Sequence, residues 1–351
     1  MRRIAATPTA FYEFTAKEVD LLEAATNELE KMTLEAAQHI IDHQLYDRMG
    51  IPDNARPLIE RSWEARPPSL YGRFDFAYDG SGPPKLLEYE ADTPTSLVEA
   101  AVAQQRWLRD TFPKRGQFNS IHERLVARWK ELAPSLPGGG IDFCSMDAAE
   151  DGMTVTYLRD TARQAGLTAS IFPIHEIGWN GATFVGPDDQ PLGAVFKLYP
   201  WEWMVREEFG KHLATASTLW IEPPWKILLS NKGILPVLWK LYPRHPNLLE
   251  ASWDGPGLML SWVRKPLWGR EGANITLHRP GQDVETGGNY GAEGFIYQDA
   301  AQLKSFEGMY PVIGSWVIGH EEGNASAGMG IRESATPINT SASQFVPHVF
   351  D

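Results

Sequence analysis

The sequence has one cysteine, no long hydrophobic run and an excess of negative charge. The lone Cys144 excludes an internal disulfide and a cysteine-cluster zinc site, and we interpret it as a buried strand residue. No apolar run approaches the roughly 18 residues that span a bilayer, and the start lacks the apolar segment of a signal peptide, so we expect a cytoplasmic protein without membrane partners. The 45 acidic side chains against 32 basic ones, a formal net charge of -13, disfavour nucleic acid as a partner.

The 351 residues offer ample material for a core and suggest two or more lobes. Thr15 and Glu18 form a capping box that predicts the start of a long amphipathic helix. Strands at 141–144 and 169–172 flank a helical pattern, which predicts a β-α-β unit of the doubly wound kind. We also expect a hairpin from 182–185 and 194–199. A β-rich second half predicts one antiparallel lobe, with strands at 275–278, 294–297, 312–318 and 329–331.

A stretch near residue 265 has the pattern of strand, cation, loop and second cation. The apolar run 258–263 predicts a strand that ends at Pro266, which cannot donate to a ladder. The loop 269–272 has a glycine at each end, so it can close over a ligand and leave its amides free. An anionic phosphate group is the ligand that best suits the three cations of this stretch, Arg264, Lys265 and Arg270. The alternative is a hairpin whose charges are solvated.

The segments 71–79 and 85–90 are predicted to form a hairpin with one packing face and one charged face. Turn residues Gly80 to Pro84 separate them. Alternation places on one face the apolar residues Phe74, Phe76, Tyr78, Leu87 and Tyr89. It places on the other face Arg73, Asp75, Glu88 and Glu90. Three carboxylates on one surface would repel unless a cation joins them, and oxygen ligands suit magnesium or manganese. The alternative is a solvated outer face.

Three further segments carry candidate ligand groups, each with a plain structural alternative. In 92–96, Pro94 suits the first position of a helix, and nearby hydroxyls and amides would suit a ligand carboxylate, although an ordinary cap has the same pattern. Glu150 and Asp151 follow a strand end and could hold an ammonium group or only complement the helix dipole. Lys232 lies where glycine and proline interrupt a helical run, and it either points inward or caps carbonyls.

Several of these motifs, in this order and over nearly the whole chain, resemble the glutathionylspermidine synthase family. They are Tyr71-Gly72-Arg73-Phe74-Asp75, Leu86-Leu87-Glu88-Tyr89-Glu90-Ala91-Asp92-Thr93-Pro94-Thr95, Ser230-Asn231-Lys232-Gly233, the loop 269–272, Ile296-Tyr297-Gln298 and Gly330-Ile331-Arg332. The resemblance implies an α/β (α+β) ATP-grasp fold preceded by a small Rossmann-like domain. It implies that residues 136–200 form the Rossmann-like part, that 1–135 and 201–351 form the ATP-grasp part, and that 225–300 form the nucleotide lobe. Because the likeness begins almost at residue 1, we expect a stand-alone synthetase without the family's amidase domain.

The resemblance also implies roles for individual residues. The metal ligands match Asp75, Glu88 and Glu90, and the phosphate-binding lysines match Lys232 and Lys265. The rest of the ATP site matches Arg73, Asp75, the hinge Gln298, Asp299, Ala300 and Ala301, and Ile338. Arg73 and Arg270 match the arginines that stabilise the transferring phosphoryl group and close over the intermediate. The substrate site matches Arg73, Thr93, Thr95, Glu150, Asp151 and Arg332.

The reaction implied is ATP- and Mg²⁺-dependent amide formation through an acyl phosphate, with glutathione and spermidine as substrates. Another peptide or amino-acid carboxylate and amine pair, or a nucleotide-binding protein without catalysis, are the alternatives. Phosphoryl transfer requires placed cations and metal more than covalent help, and the motifs contain cations and carboxylates. One departure is Glu90, which stands where the family commonly has asparagine and adds a negative charge.

Overall fold

The structure is a computed structural model and describes residues 1–5, 9–319 and 325–351. The helices are α1 (Ala16–Asp42), α2 (Arg56–Ala65), α3 (Gln104–Thr111), α4 (Ile121–Leu132), α5 (Ala149–Gln164), α6 (Trp201–Met204), α7 (Ile227–Ser230) and α8 (Ile234–Leu241). The strands are β1 (Arg2–Ile4), β2 (Phe11–Phe14), β3 (Tyr71–Ala77), β4 (Lys85–Glu90), β5 (Gly140–Ser145), β6 (Thr168–Pro173), β7 (Gly178–Trp179), β8 (Phe184–Val185), β9 (Ala194–Leu198), β10 (Leu219–Ile221), β11 (Ala251–Ser252), β12 (Trp262–Pro266), β13 (Thr276–Arg279), β14 (Gln282–Glu285), β15 (Phe295–Asp299), β16 (Tyr310–Ile318), β17 (Ser326–Ser334), β18 (Gln344–Val346) and β19 (His348–Phe350). No helix in this part of the chain combines the length and apolar character that a bilayer crossing needs.

Helix α1 begins at the predicted capping box. The Thr15 hydroxyl accepts the Glu18 amide, and the Glu18 carboxylate accepts the Thr15 amide. Apolar residues at helical spacing form its buried face, among them Val19, Leu22, Leu29, Ala36 and Ile40. This face packs on α8 and on β16, and each large apolar side chain that it buries contributes roughly 1.5–3 kcal/mol.

The central sheet is antiparallel and has the order β18-β17-β16-β3-β4. The predicted β3–β4 hairpin is confirmed, and Phe74 stacks on Tyr89 with ring centroids 3.8 Å apart in the core. A register shift between Asp75 and Phe76 brings Leu86, not Leu87, opposite Phe76. The prediction that Leu87 packs beside Tyr89 is therefore wrong, because a bulge changes the face on which the following residues lie.

A four-stranded parallel sheet has the order β10-β9-β5-β6. The predicted β-α-β unit is confirmed as β5, α5 and β6, and Cys144 is buried in β5. The predicted 182–199 hairpin is wrong, since β8 pairs with β7 and β9 lies parallel to β5. Trp129 on α4 packs edge-on against Phe143, which fixes the helical layer to this sheet.

The four strands predicted in the second half divide between two sheets and do not form the single antiparallel lobe that was predicted. Strands β11 to β15 form one antiparallel sheet in the order β11-β15-β12-β13-β14, whereas β16 and β17 belong to the central sheet. The strand near Lys265 ends at Pro266 as predicted but begins only at Trp262. Leu258 and Leu260 lie outside it and are 96 % and 82 % exposed. The alternation of polar and apolar residues does not indicate with which other strand each strand pairs.

A buried histidine on β19 makes the fold sensitive to acid. Complete burial lowers the pKa of His348 to about 3, below its ordinary value near 6.5. Between these values the unfolded chain binds a proton that the folded protein does not, so stability falls as pH falls. From pH 6.5 to 5 this group should cost about 2 kcal/mol of unfolding free energy. Urea unfolding at both pH values measures it.

Two variants separate this effect from the other titrating groups. His348→Gln should lessen the pH dependence by that amount, while His175→Gln should not, because the His175 side chain is 64 % exposed. Equal pH dependence in wild type and His348→Gln would contradict the assignment.

Candidate active site

A cleft of about 360 Å³ lies between the β3–β4 hairpin and the sheet that contains β12 and β15. The acidic hairpin and the basic stretch near residue 265 therefore meet across one cavity. The predicted site residues that line it are Arg73, Asp75, Glu88, Glu90, Thr93, Thr95, Glu150, Lys232, Lys265, Arg270, Gln298, Asp299, Ala301, Arg332 and Ile338. The predicted residues Asp151 and Ala300 are not among its lining residues.

The hairpin presents its charged side chains to this cleft in paired registers. Arg73 lies opposite Glu90, and Asp75 lies opposite Glu88. The Arg73 guanidinium donates to both oxygens of Asp75, at 2.6 and 3.0 Å, and to the Thr95 carbonyl at 2.6 Å. Arg332 donates to Asp75 as well. The prediction that four hairpin charges share one surface is confirmed.

Two buried lysines face these carboxylates from the opposite wall. Lys232, between α7 and α8, lies 3.0 Å from Glu88 and donates to the Gly269 carbonyl at 2.6 Å. It therefore points inward, and the carbonyl that it contacts belongs to the loop 269–272 and not to a helix end. Lys265 donates to the Leu87 carbonyl at 2.8 Å and to Gln298 Oε1 at 2.7 Å. Each lysine thus contacts strand β4 of the hairpin and also a residue outside it, which is Gly269 for Lys232 and Gln298 for Lys265.

The charges in the cleft change one another's pKa values. Burial lowers the pKa of Lys265 to about 8, although the negative charge of Glu88 opposes the shift. Burial alone would raise the pKa of Glu88, but Lys232 and Lys265 outweigh it and bring that pKa to about 2. Burial raises the pKa of Glu90, which has Glu88 as a like-charged neighbour. Of these two carboxylates, Glu88 therefore keeps its negative charge more readily than Glu90.

The loop that carries Arg270 is docked over the cleft. Arg270 donates to the Thr93 hydroxyl at 2.7 Å and to Glu202 Oε1 at 3.0 Å. Gly272 has a φ of +68°, and a Cβ there would lie 2.2 Å from the Asn339 carbonyl oxygen, so only glycine allows this close approach. The docked loop brings a third cation over the hairpin.

The hinge segment lies where β15 ends. Gln298 is buried and donates to the Leu86 carbonyl at 3.0 Å. The amides of Asp299 and Ala300 donate to the carbonyls of Glu250 and Ser261, so neither amide is free for a ligand. Ala300 lines a second cavity, on the side of the hinge where Leu258 and Leu260 lie. Apolar side chains complete the main cleft beside the hinge, namely Val263, Ile275, Leu277, Ala301 and Val312.

Acidic side chains gather near the far end of the cleft. Glu150 and Asp151 occupy the first turn of α5, beyond the carboxyl end of β5. Burial raises the pKa of Glu150, and the like charges of Glu99, Asp151 and Glu271 raise it further. Burial raises the pKa of Asp151 too, against the positive charge of Arg270. Glu99 and Glu271 line the cleft as well; Glu271 belongs to the predicted loop 269–272, whereas no motif in the sequence indicated Glu99.

The helix expected at Pro94 begins later in the chain. Residues 94–96 are irregular, and helical structure starts at Leu97 before the π-helical turn Glu99–Ala103. Asp92 is not a helix cap, because its carboxylate binds Lys197 and the Trp201 amide. This leaves the Thr93 hydroxyl and the Thr95 carbonyl to contact Arg270 and Arg73.

Residues 3–351 match the sequence profile described as glutathionylspermidine synthase pre-ATP-grasp. The chain belongs to the glutathionylspermidine synthase family. The family assignment confirms the expected resemblance and the expected enzyme class, an ATP-dependent carboxylate–amine ligase.

Three curated relatives of this family member differ in length. A Haemophilus influenzae protein provisionally named an acid–amine ligase is 44 % identical, and the match covers 97 % of this chain and 89 % of the relative. Crithidia fasciculata trypanothione synthetase is 28 % identical over 88 % of this chain and 51 % of the relative. The Escherichia coli bifunctional glutathionylspermidine synthetase/amidase is 27 % identical over 90 % of this chain and 56 % of the relative. The chain thus spans about half the length of the last two.

A solved structure supports the fold. A glutathione synthetase-like effector from Globodera pallida superposes with a TM-score of 0.60 at 10 % identity, covering 97 % of this chain and 89 % of that chain. Together with the family assignment, this confirms the expected mixed α/β fold of the ATP-grasp synthetase class.

The carboxylates of this family member suit magnesium by their chemistry but are paired with the chain's own cations. Oxygen atoms of Asp75, Glu88 and Glu90 are the donors that Mg²⁺ prefers. Within residues 1–5, 9–319 and 325–351, no three carboxylate, histidine or cysteine side chains are grouped so that they could hold a metal ion. Binding would require Arg73, Arg332 and Lys232 to release these oxygens, and a bound triphosphate offers those cations an alternative anion.

Proposed function

We propose that this protein is an ATP- and Mg²⁺-dependent ligase that joins the glycine carboxylate of glutathione to an amine of spermidine through an acyl phosphate. The observation that carries the proposal is the meeting of the acidic hairpin with Lys232, Lys265 and Arg270 around one cleft. Cations set against carboxylates around a cavity suit a triphosphate that binds with a divalent ion.

In the first step a carboxylate oxygen of the peptide attacks the γ-phosphorus of ATP. An acyl C–O–P linkage forms, the bond between the β,γ-bridging oxygen and the γ-phosphorus breaks, and ADP leaves. We propose that residues 225–300 form the nucleotide lobe, with adenine beside Gln298, Asp299 and Ala301, which line the cleft, and near Ile338. Lys232 and Lys265 would hold the phosphates, while Asp75, Glu88 and Glu90 would hold Mg²⁺. The bound ion would draw negative charge from the phosphate oxygens.

The arginines would stabilise the charge that develops on the transferring phosphoryl group. Arg73 is held by its hydrogen bond to the Thr95 carbonyl, which remains when Asp75 binds the metal, and Arg270 approaches from the loop on the other side. Thr93, Thr95 and Arg332 would orient the peptide carboxylate in the same cleft. Fixed cations cost little reorganisation when charge moves, so their effect falls mainly on kcat.

In the second step the amine nitrogen attacks the acyl carbon. The C–N bond forms, the acyl C–O bond breaks, phosphate leaves, and the amine proton passes to phosphate or solvent. Glu150 and Asp151 would bind other ammonium groups of the amine, aided by Glu99 and Glu271. Without the amine, these carboxyl groups have raised pKa values. A bound ammonium group would lower them by stabilising the carboxylates, and this favours binding of a substrate with several positive charges.

A second candidate keeps this chemistry and changes the substrates to another peptide or amino-acid carboxylate and amine. The relative with 44 % identity carries a name without specified substrates, whereas the relatives named for glutathionylspermidine or trypanothione are 27 % and 28 % identical. Identity therefore does not favour glutathione and spermidine over other pairs.

The test is ADP release from ATP and Mg²⁺ with glutathione and spermidine together, each alone, and a panel of peptides and amines. We expect ADP release that requires both substrates, with an amide product by mass spectrometry. Turnover only with another pair would favour the second candidate. Tight ATP binding without turnover on the whole panel would contradict both and favour a nucleotide-binding protein without catalysis.

Nucleotide affinity should weaken at alkaline pH because of Lys265. With its pKa near 8, this lysine loses its charge above that pH and no longer attracts phosphate. Calorimetry with a non-hydrolysable ATP analogue and constant free Mg²⁺ should show Kd rising by up to about tenfold per pH unit above pH 8. Lys265→Arg keeps its charge and should lessen this slope. The same slope in both proteins would contradict the assignment.

A further inference from the structure

Arg270 reaches from one sheet to two contacts on other parts of the chain. Its loop follows β12, but its hydrogen bonds go to Thr93, beyond β4, and to Glu202 on α6. The guanidinium also lies 5.7 Å from the centre of the Trp203 ring. Of these partners only Glu202 carries a charge, and its side chain is 5 % exposed.

Glu202 is itself held in place by a buried ion pair. The amide of Trp201, at the start of α6, donates to Asp92 Oδ2 at 2.9 Å. The other Asp92 oxygen accepts from Lys197 Nζ at 2.7 Å, and both side chains are at most 1 % exposed. The Trp201 indole donates to the Glu222 carbonyl at 3.0 Å. Asp92 also directly precedes Thr93, so one carboxylate anchors both acceptors of Arg270.

These contacts leave part of Arg270 available. Nη1 donates to Thr93 and Nη2 to Glu202, whereas Nε is buried without a hydrogen-bond partner in the described part of the chain. A buried guanidinium N–H without an acceptor is costly, and an anionic ligand oxygen would satisfy it. The planar fork of arginine means that fixing two nitrogens fixes the direction of the third.

We propose that Glu202 is a positioning residue that keeps the loop 269–272 docked and orients Arg270 for the reacting anion. Its catalytic consequence rests on the proposed function, but its effect on the loop does not. The structure gives Glu202 this role because its carboxylate is the charged acceptor of Arg270 and lies on an element that Asp92 fixes.

Trypsin cleavage after Arg270 tests the loop without any substrate. Mass spectrometry follows fragments 1–270 and 271–351 under native conditions. Glu202→Gln keeps the shape and removes the charge, so we expect cleavage at this bond to increase on the order of tenfold, because the hydrogen bond from Arg270 then goes to a neutral amide oxygen and is weaker. Glu202→Asp should give an intermediate rate. The matched control is Glu207→Gln, which alters a carboxylate that accepts from Tyr199 and should leave cleavage after Arg270 unchanged.

A kinetic measurement distinguishes positioning from general loosening. Glu202→Gln should lower kcat for ADP release at least tenfold while the Kd of the ATP analogue changes less than threefold, as expected for an interaction that matters in the transition state.

Unchanged cleavage after Arg270, or cleavage increased equally at sites throughout the chain, would overturn the inference. If Glu202→Gln increases cleavage at this bond while the wild-type protein has no activity with glutathione and spermidine, the inference about Glu202 stands and only the proposed substrates are contradicted.

Discussion

Replacing Arg270 with alanine should lower kcat for ADP release about 10³-fold, because an arginine that stabilises a transferring phosphoryl group has an effect of this order. The loop places Arg270 over the hairpin carboxylates, so its charge acts where phosphate oxygens would gather. The Kd of a non-hydrolysable ATP analogue should change much less, since Lys232 and Lys265 remain. Steady-state kinetics and calorimetry measure the two quantities.

Arg264→Ala is the matched control. This arginine lies on the same strand as Lys265, donates to the Thr276 hydroxyl and packs against the Phe295 ring, and it is not among the cleft-lining residues. Its loss should change kcat less than twofold, as expected for a residue outside the reacting site. Equal losses in both variants would show that the effect of Arg270 is not specific to the cleft.

Replacing Lys197 with methionine should destabilise the protein by about 3–5 kcal/mol, the usual cost of leaving one member of a buried ion pair without its partner. Lys197 and Asp92 are 2.7 Å apart and almost fully buried. Burial lowers the pKa of Lys197 and raises that of Asp92, as expected when both charges are far from water. Urea unfolding at pH 7 measures the loss.

Two further variants interpret that result. Adding Asp92→Asn to Lys197→Met should recover part of the stability, because the amide oxygen can still accept the Trp201 N–H while the uncompensated charge is gone. Lys240→Met, at an exposed position of α8, should change stability by less than about 0.5 kcal/mol. A loss below about 1 kcal/mol for Lys197→Met would contradict the role of this ion pair.

Local sequence predicted those features that depend on neighbouring residues. The capping box of α1, the β5-α5-β6 unit and the β3–β4 hairpin each follow from periodicity and turn chemistry, and each is confirmed. The residues of the cleft came from the family resemblance, because spacing alone left a solvated hairpin face open as an alternative. Their collection in one cavity agrees with that resemblance, while their individual roles stay predictions.

The features that sequence missed depend on distant contacts. The register shift between Asp75 and Phe76 places Leu86, and not Leu87, in the core. The alternation of polar and apolar residues gives no sign of this bulge. Strands β16 and β17 join the central sheet because β3 is their partner, which their own composition does not reveal. Glu202 meets Arg270 from a separate helix, and the Trp201-Glu202-Trp203 sequence gives no local reason to expect a charged partner.

The most direct test of a shared nucleotide cleft is a crystal structure with a non-hydrolysable ATP analogue and Mg²⁺. We predict that the triphosphate lies between Lys232, Lys265 and the hairpin carboxylates, with metal density beside Asp75 and Glu88 and with the docked loop above it. A nucleotide bound elsewhere, or bound without contact to both the hairpin and the lysines, would contradict the account.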